Sequence, residues 1–369
     1  MNQDVANRVV GEWATLLMRG APLGLHLGID NNEWIIDVNF KGLKLIPPGI
    51  HFIYYGLSPP HGGQRNPRKS FWVKLDLRQV EIQDWDPLTE QFEITKETPE
   101  QVERLVLGVR NFDFDRHLGA YPLEKFPKWR AFTSHLTEGT LAKLQPQEAA
   151  PLPPKEDQFQ SKYREGIPHL NNDSETSLPY TNIPERTLAP NTSPQDITKL
   201  NFDKSYVLLE LFRTDFNNDP QLFLGEFEYA FLMFSLGECY ESFEQWKKML
   251  RLVCQCETAI SEKMSFFVEF VKVVNIQVAE IPNDFFEDIV TANNFLMASL
   301  KEFVASCEGI VNKVLQKELK KLEKMVEEKF QVNLSIEDDE ELLPTTVSPE
   351  ELIALGLSPD EIDKLLNAS

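Results

Sequence analysis

Apolar and polar residues alternate at period two in the first quarter of the chain. Ile50-Phe52-Tyr54 and Phe71-Val73-Leu75-Leu77 are spaced as the inward face of a half-buried strand requires. Pro47-Pro48-Gly49 and His61-Gly62-Gly63 punctuate them as turns. The stretch from about Ala14 to Phe92 therefore reads as strands. The period changes at Thr98-Pro99-Glu100, where Thr98 suits a cap and Pro99 the first helical position. Val102, Leu105, Val106 and Val109 then form one helical face. A second helical stretch is expected over Leu123 to Leu144, with Phe126, Trp129, Phe132 and Leu136 turned inward.

Between Gln145 and Asp196 lie nine of the chain's 24 prolines and few apolar clusters. Proline withholds backbone donors, and so little apolar surface does not offset the entropy of ordering. Beyond it the period is helical throughout. Ser193-Pro194-Gln195-Asp196 resembles a capping box, and helices are expected over Leu222 to Leu236, Tyr240 to Gln255, Thr258 to Ala279 and Asn294 to Phe330. Short connections between them imply antiparallel neighbours. In the tail, Ser348-Pro349-Glu350-Glu351 and Ser358-Pro359-Asp360-Glu361 each cap a short apolar turn, giving two small helices, marginal alone. The result is an α+β chain of two domains. Residues 1–144 form a β-rich domain with helices, 145–192 a Pro-rich linker expected to move, 193–330 an α-helical domain, and 331–369 an acidic tail.

Composition sharpens this picture. The 369 residues are 42% hydrophobic, enough for more than one core. Lys and Arg number 37 against 58 Asp and Glu, a formal net charge of -21 that repels phosphate backbones and argues against direct nucleic-acid binding. Four cysteines, Cys239, Cys254, Cys256 and Cys307, all in helical stretches and without CxxC spacing, fit a reducing compartment better than a disulfide framework. No apolar run is long enough for a membrane span, and Asp4, Arg8 and Glu12 interrupt the N-terminus as no signal peptide would be. The sequons at Asn172, Asn191 and Asn333 then read as chance matches.

Candidate chemistry is sparse. No phosphate-cradling GxxxxGK[ST], GxSxG or HExxH occurs, and the six histidines are scattered. No cofactor is expected. Asp30-Asn31-Asn32-Glu33 begins like a calcium loop, but Trp34 and Asp37 break the pattern and a hydrogen-bonded turn explains it better. Asp284 and Asp288 share a helical face, yet paired acids are common on an acidic surface. Arg65, Arg68 and Lys69 read as a solvated hairpin tip before they read as a partner contact. Lys313, Lys317, Lys320, Lys321 and Lys324 recur at helical spacing opposite Val311, Leu315, Leu319, Leu322 and Val326, with acids interleaved: a wet face first, an RNA or acidic-protein contact second. Tyr240, Phe243, Trp246 and Leu250 cover one helical face and read as core before anchor site.

Several ordered stretches resemble the Aar-two splicing-factor family. The most specific is Phe40-Lys41-Gly42-Leu43-Lys44-Leu45-Ile46-Pro47-Pro48-Gly49-Ile50-His51-Phe52, preceded by Gly28-Ile29-Asp30 with Trp34. Leu118-Gly119-Ala120-Tyr121-Pro122, Trp129 and Lys143-Leu144-Gln145-Pro146 follow in order. In the helical half, Gly225-Glu226, Tyr240-Glu241, Trp246-Lys247 and Glu280-Ile281-Pro282-Asn283-Asp284-Phe285 match in turn.

The resemblance implies a β-rich domain followed by a VHS-like helical domain. It also implies an assembly factor of the U5 small nuclear ribonucleoprotein, not an enzyme. Such a factor binds the large U5 scaffold protein of the Prp-eight family at its RNase H-like and Jab/MPN-like regions, beside other U5 proteins. It does so during cytoplasmic assembly and yields to the Brr-two helicase in the nucleus. On this basis Tyr240, Glu241, Trp246 and Asp284 are candidate partner contacts. Gly28, Asp30, Trp34, Gly42, Pro47, Pro48, Gly49, Trp129, Pro282 and Phe285 are signature residues with a structural role first. A monomer with no membrane contact is expected. Two other readings stand beside it: a VHS-like adaptor for acidic or ubiquitin-bearing cargo, and an enzyme with its site in the interdomain cleft.

Overall fold

The structure is a computed structural model that describes residues 12–57, 68–145, 178–184, 202–281 and 295–334. Among the described residues, nine strands build two sheets. β1 (Ala14–Arg19), β4 (Gly42–Ile46), β7 (Val80–Asp86), β8 (Gln91–Ile94) and β9 (Leu118–Ala120) form a mixed sheet in the order β8-β7-β1-β4-β9. β2 (Leu25–Ile29), β3 (Asn32–Ile35), β5 (Gly49–Leu57) and β6 (Lys69–Leu75) form an antiparallel sheet in the order β3-β2-β5-β6. Their facing sides enclose Leu16, Met18, Leu25, Leu27, Ile53, Tyr55 and Leu75. A helix, α1 (Pro99–Arg110), covers the outer face of the mixed sheet through Val102, Leu105 and Val109. Pro99 opens it, and Thr98 N donates to the Gln101 side chain at 2.9 Å, closing the first turn.

The expectation of half-buried strands fails at β5, and its failure organises the molecule. Ile53 and Tyr55 point into the sandwich, while Phe52 and Tyr54, with Trp72 of β6, point outward and are equally buried. Their cover is the helical half, so one aromatic core runs from the antiparallel sheet into the helices. Trp72 is its hinge point, with ring centroids 4.6 Å from Phe52, 6.1 Å from Trp129 and 5.3 Å from Tyr229. Residues to Leu334 accordingly form one compact unit. Leu77, expected to face inward, lies beyond the end of β6 and is exposed.

The helical stretch expected over Leu123 to Leu144 is broken. A 3-10 turn (Leu123–Lys125) leads into α2 (Phe126–Phe132), and α3 (Glu138–Leu144) starts afresh at Thr137, whose side chain accepts from Thr140 N. In the helical half, α4 (Ser205–Thr214) was not separated by periodicity alone, α5 spans Pro220–Ser235 and α6 Tyr240–Cys254. Two expected helices are each divided: α7 (Glu257–Glu262) from α8 (Met264–Glu280), and α9 (Phe295–Ser306) from α10 (Lys313–Phe330). Left-handed Gly309 and the Asn312 side chain, which accepts from Val314 N and Leu315 N, cause the second break. Val311 lies in that connection and is exposed. Residues 178–184, inside the stretch read as linker, pack onto the helices: Thr181 is buried and Gln245 Nε2 donates to its carbonyl at 2.9 Å. The capping box at Ser193 and both tail helices lie outside the described residues.

Because Trp72 belongs to both halves, Trp72→Ala is expected to cost about 3–5 kcal/mol. In denaturant titrations the loss should appear identically in the helical far-ultraviolet signal and in β-domain tryptophan fluorescence. Displacement of only one of the two curves would separate the halves.

Candidate functional site

The signature residues of the β domain converge on one carboxylate. β2 and β3 pair with Ile29 opposite Asn32, leaving Asp30 in a tight turn with φ 53°. Asp30 is fully buried and faces β5, not a calcium site. Its oxygens accept from Phe52 N at 3.0 Å and from the Tyr121 hydroxyl at 2.6 Å, and His51 Nδ1 lies 2.8 Å away. His51 Nε2 in turn donates to the Pro47 carbonyl at 2.8 Å. Burial, then the charge of Asp30, pushes the Tyr121 hydroxyl well above its ordinary value, which keeps it a donor. Gly42, at φ 141°, leaves no room for a Cβ, which would fall 2.0 Å from the Leu16 carbonyl. Gly28 pairs with Tyr54, Gly49 opens β5, Pro48 is exposed, and Trp129 Nε1 donates to the Ile50 carbonyl at 2.8 Å.

Two buried carboxylates of α5, Glu226 and Glu228, fasten the two halves. Gly225 of α5 lies so near the α2–α3 connection that a Cβ would be 2.6 Å from the His135 carbonyl. On the next residue, buried Glu226 accepts from Lys143 Nζ, Thr181 N and Thr181 Oγ1, each at 2.8 Å. Buried Glu228 accepts from His135 N at 2.9 Å, Ser134 Oγ at 2.9 Å and His135 Nδ1 at 2.7 Å. Burial pushes the Glu228 carboxyl above the usual range, and the His135 and Ser134 bonds pull it part of the way back. Arg68 was expected at a solvated hairpin tip. It instead donates to the Leu236 carbonyl at 3.0 Å, pairs with Glu33 at 2.7 Å and Glu238 at 3.0 Å, and lies over the Tyr54 ring. The bonds to Glu33 and to the Leu236 carbonyl link residues 35 and 168 positions apart, so no local pattern carried them.

The described candidate partner contacts, Tyr240, Glu241 and Trp246, do not assemble into an exposed surface. Trp246 is fully buried, stacked on Phe227 and donating from Nε1 to Gln277 at 2.9 Å, so it has no face for a partner. Tyr240 packs on the same core, and Glu241 accepts from Leu178 N at 3.0 Å. Asp284, Pro282 and Phe285 lie outside the described residues. Lys313, Lys317, Lys320, Lys321 and Lys324 of α10 are exposed, opposite buried Leu315, Leu319, Leu322 and Val326. Cys254, Cys256 and Cys307 are buried, and burial raises every one of the four thiols, Cys307 to about 12. Among the described residues no group of three or more His, Cys, Asp or Glu is placed to hold a metal ion, and no helix is long and apolar enough to cross a membrane.

What the β domain does present is an apolar flank at its sheet edges. β3 and β9 are edge strands of the two sheets, and a cleft of about 360 Å³ opens between them. Trp34 and Ile35 line it, exposed at 38% and 65%, and Val38, between lining residues Asp37 and Asn39, is exposed at 73%. The Gly24 N bond to the Ile36 carbonyl, 3.1 Å, holds the turn bearing exposed Leu23 alongside. On the β9 side, His117 Nδ1 is buried without a hydrogen-bond partner among the described residues. Open strand edges beside clustered apolar side chains are the surface to which an extended segment of another protein can add. Of the exposed apolar side chains of this flank, only Trp34 stood out in the sequence, because single exposed apolar residues carry no periodic signal.

A β sandwich and a helical domain joined by one aromatic core, with buried polar groups committed to the joint, define a two-domain α+β protein whose outward feature is a surface. Residues 12–146 match the model for the AAR2 N-terminal domain, and residues 180–335 that for the AAR2 C-terminal repeat region. The chain is 31% identical over 382 residues to Protein AAR2 homolog of Homo sapiens, covering 96% of this chain and 99% of that one, with the same figures for the protein of Macaca fascicularis. For Protein AAR2 homolog of Caenorhabditis elegans identity is 28% over 329 residues, covering 82% and 89%. This chain belongs to the AAR2 family.

Replacing Asp30 by Ala strands His51, Tyr121 and Phe52 N, and is expected to destabilise the protein by about 3–5 kcal/mol in urea titration. A loss below about 1 kcal/mol would mean that the carboxylate is dispensable to the fold. At pH 8 native Cys254, Cys256 and Cys307 should react with Ellman's reagent only on the timescale of unfolding, and all four thiols promptly in denaturant. Rapid labelling of any of those three in the native protein would contradict its burial.

Proposed function

We propose that the protein is an assembly factor of the U5 small nuclear ribonucleoprotein, required for pre-mRNA splicing, that holds the large U5 scaffold protein until the helicase joins. Membership of the AAR2 family across both domains carries this reading. It is supported by a molecule whose strongest motifs build a rigid joint and whose apolar side chains cluster at an open sheet edge. Its partner is the scaffold at its RNase H-like and Jab/MPN-like regions, with other U5 proteins nearby, in the cytoplasm and then the nucleus. The protein acts as a monomer, without catalysis of its own and without direct nucleic-acid contact.

The apolar flank is where the scaffold is held in this reading. Rigid halves suit the task, because a preorganised surface loses little entropy on binding. Affinity capture from cell extract with the tagged full-length chain should recover the large U5 scaffold protein through a high-salt wash. Ile35→Asp combined with Val38→Asp should reduce that recovery about tenfold, as loss of an apolar anchor does, with an unchanged melting temperature. Capture of ubiquitin-bearing cargo in place of the scaffold would favour the adaptor reading and overturn this one.

A further inference from the structure

A second cleft, of about 470 Å³, opens at the mixed sheet where β1 and β7 begin, β4 ends and α1 terminates, and it shares Leu118 with the first. Its wall is built by an unusual backbone. β4 carries one residue more than β1 between their paired positions, Ala14 with Ile46 and Leu16 with Leu43, and the surplus falls at Lys44-Leu45. Leu45 is left-handed at φ 62°, which re-aims its neighbour. Arg78, in the β6–β7 turn, is left-handed at φ 61°, and Phe112, after the end of α1, at φ 65°. Of the nine non-glycine residues with positive φ among those described, Leu45 and Phe112 are the apolar ones, and both line this cleft. Bulky residues avoid that conformation unless their surroundings impose it, and such strain concentrates at ligand clamps.

The charge of the cleft is inverted relative to the chain. Against a net charge of -21, Lys44, Arg78 and Arg110 converge on it with one carboxylate, Asp115, which Lys44 holds at 2.5 Å. Arg78 is 68% exposed, with Glu12 its distant partner at 3.9 Å, and Arg110 is exposed at the last turn of α1. Trp13 and Phe112 flank them, Phe112 at 58% exposure. We propose that this cleft binds an acidic peptide segment of a partner protein, with carboxylates on Arg78 and Arg110 and a bulky apolar side chain between Trp13, Leu45 and Phe112. Charge complementarity selects the occupant: a polyphosphate chain would be repelled by the acidic surface outside the cleft, whereas a few carboxylates around an apolar residue fit inside it. The inference does not depend on which large partner the first cleft holds.

Fluorescence anisotropy with a fluorescein-labelled peptide Glu-Glu-Leu-Phe-Glu-Asp and the full chain tests it. Saturable binding at low salt is expected, weakened about tenfold or more by Arg78→Glu with Arg110→Glu and, independently of charge, by Phe112→Ser. Lys313→Glu with Lys317→Glu on α10 should leave it unchanged, and melting temperatures report that each variant is folded. Equal binding of the peptide with every acid replaced by its amide would overturn the proposal. So would displacement by inorganic phosphate at equal concentration, which points to a small-anion site, or tighter binding of a single-stranded RNA of matching length.

Discussion

The second face of the antiparallel sheet cannot be left to water. An antiparallel sheet ordinarily packs one face and wets the other, but β5 and β6 place Phe52, Tyr54 and Trp72 on the outer one. Covering them is what brings α2, α3 and α5 onto the sheet, and the rings of Trp72, Trp129 and Tyr229 meet there. Hydrophobic burial of this kind fixes proximity without fixing orientation. Orientation comes from the polar groups sealed within the same contact.

Those groups are charged, buried and mutually satisfied, which is a demanding combination. An unpaired carboxylate in such a place costs several kcal/mol, so the helical half has one docking register in which Glu226 meets Lys143 and Thr181 while Glu228 meets His135. Gly225 lets the backbones approach closely enough for both. Arg68 then closes the far end of the contact on the Leu236 carbonyl and Glu238. The sheet edge at Trp34 and the helical face of α10 are thus held in one rigid body, which is the property a holding protein needs.

The fold was legible where it rests on local chemistry. Pro99 announced α1, and the face through Tyr240, Phe243 and Trp246 was readable as core. Helix breaks were missed at Lys263 and at Gly309 to Asn312, although the glycine and asparagine were signals of the second. The joint was illegible for a different reason. His51 and His135 looked scattered, and Arg68 looked solvated, because their partners lie far along the chain and only the fold brings them together. Family resemblance marked Asp30 and Gly225-Glu226 as notable without giving the cause. That cause is the buried carboxylate each motif positions. Neither cleft was visible beforehand, since three left-handed residues from three separate elements share no spacing.

Native-state hydrogen exchange tests the single shared core most directly. If the sheet and the helices are one cooperative body, the slowest amides of β5 around Phe52 to Tyr54 and of α5 around Phe227 to Phe231 will exchange through the same global opening, with equal free energies and equal dependence on denaturant. Exchange of the α5 amides through a smaller, separate opening while β5 stays protected would contradict the shared core, and with it the rigid surface derived from it.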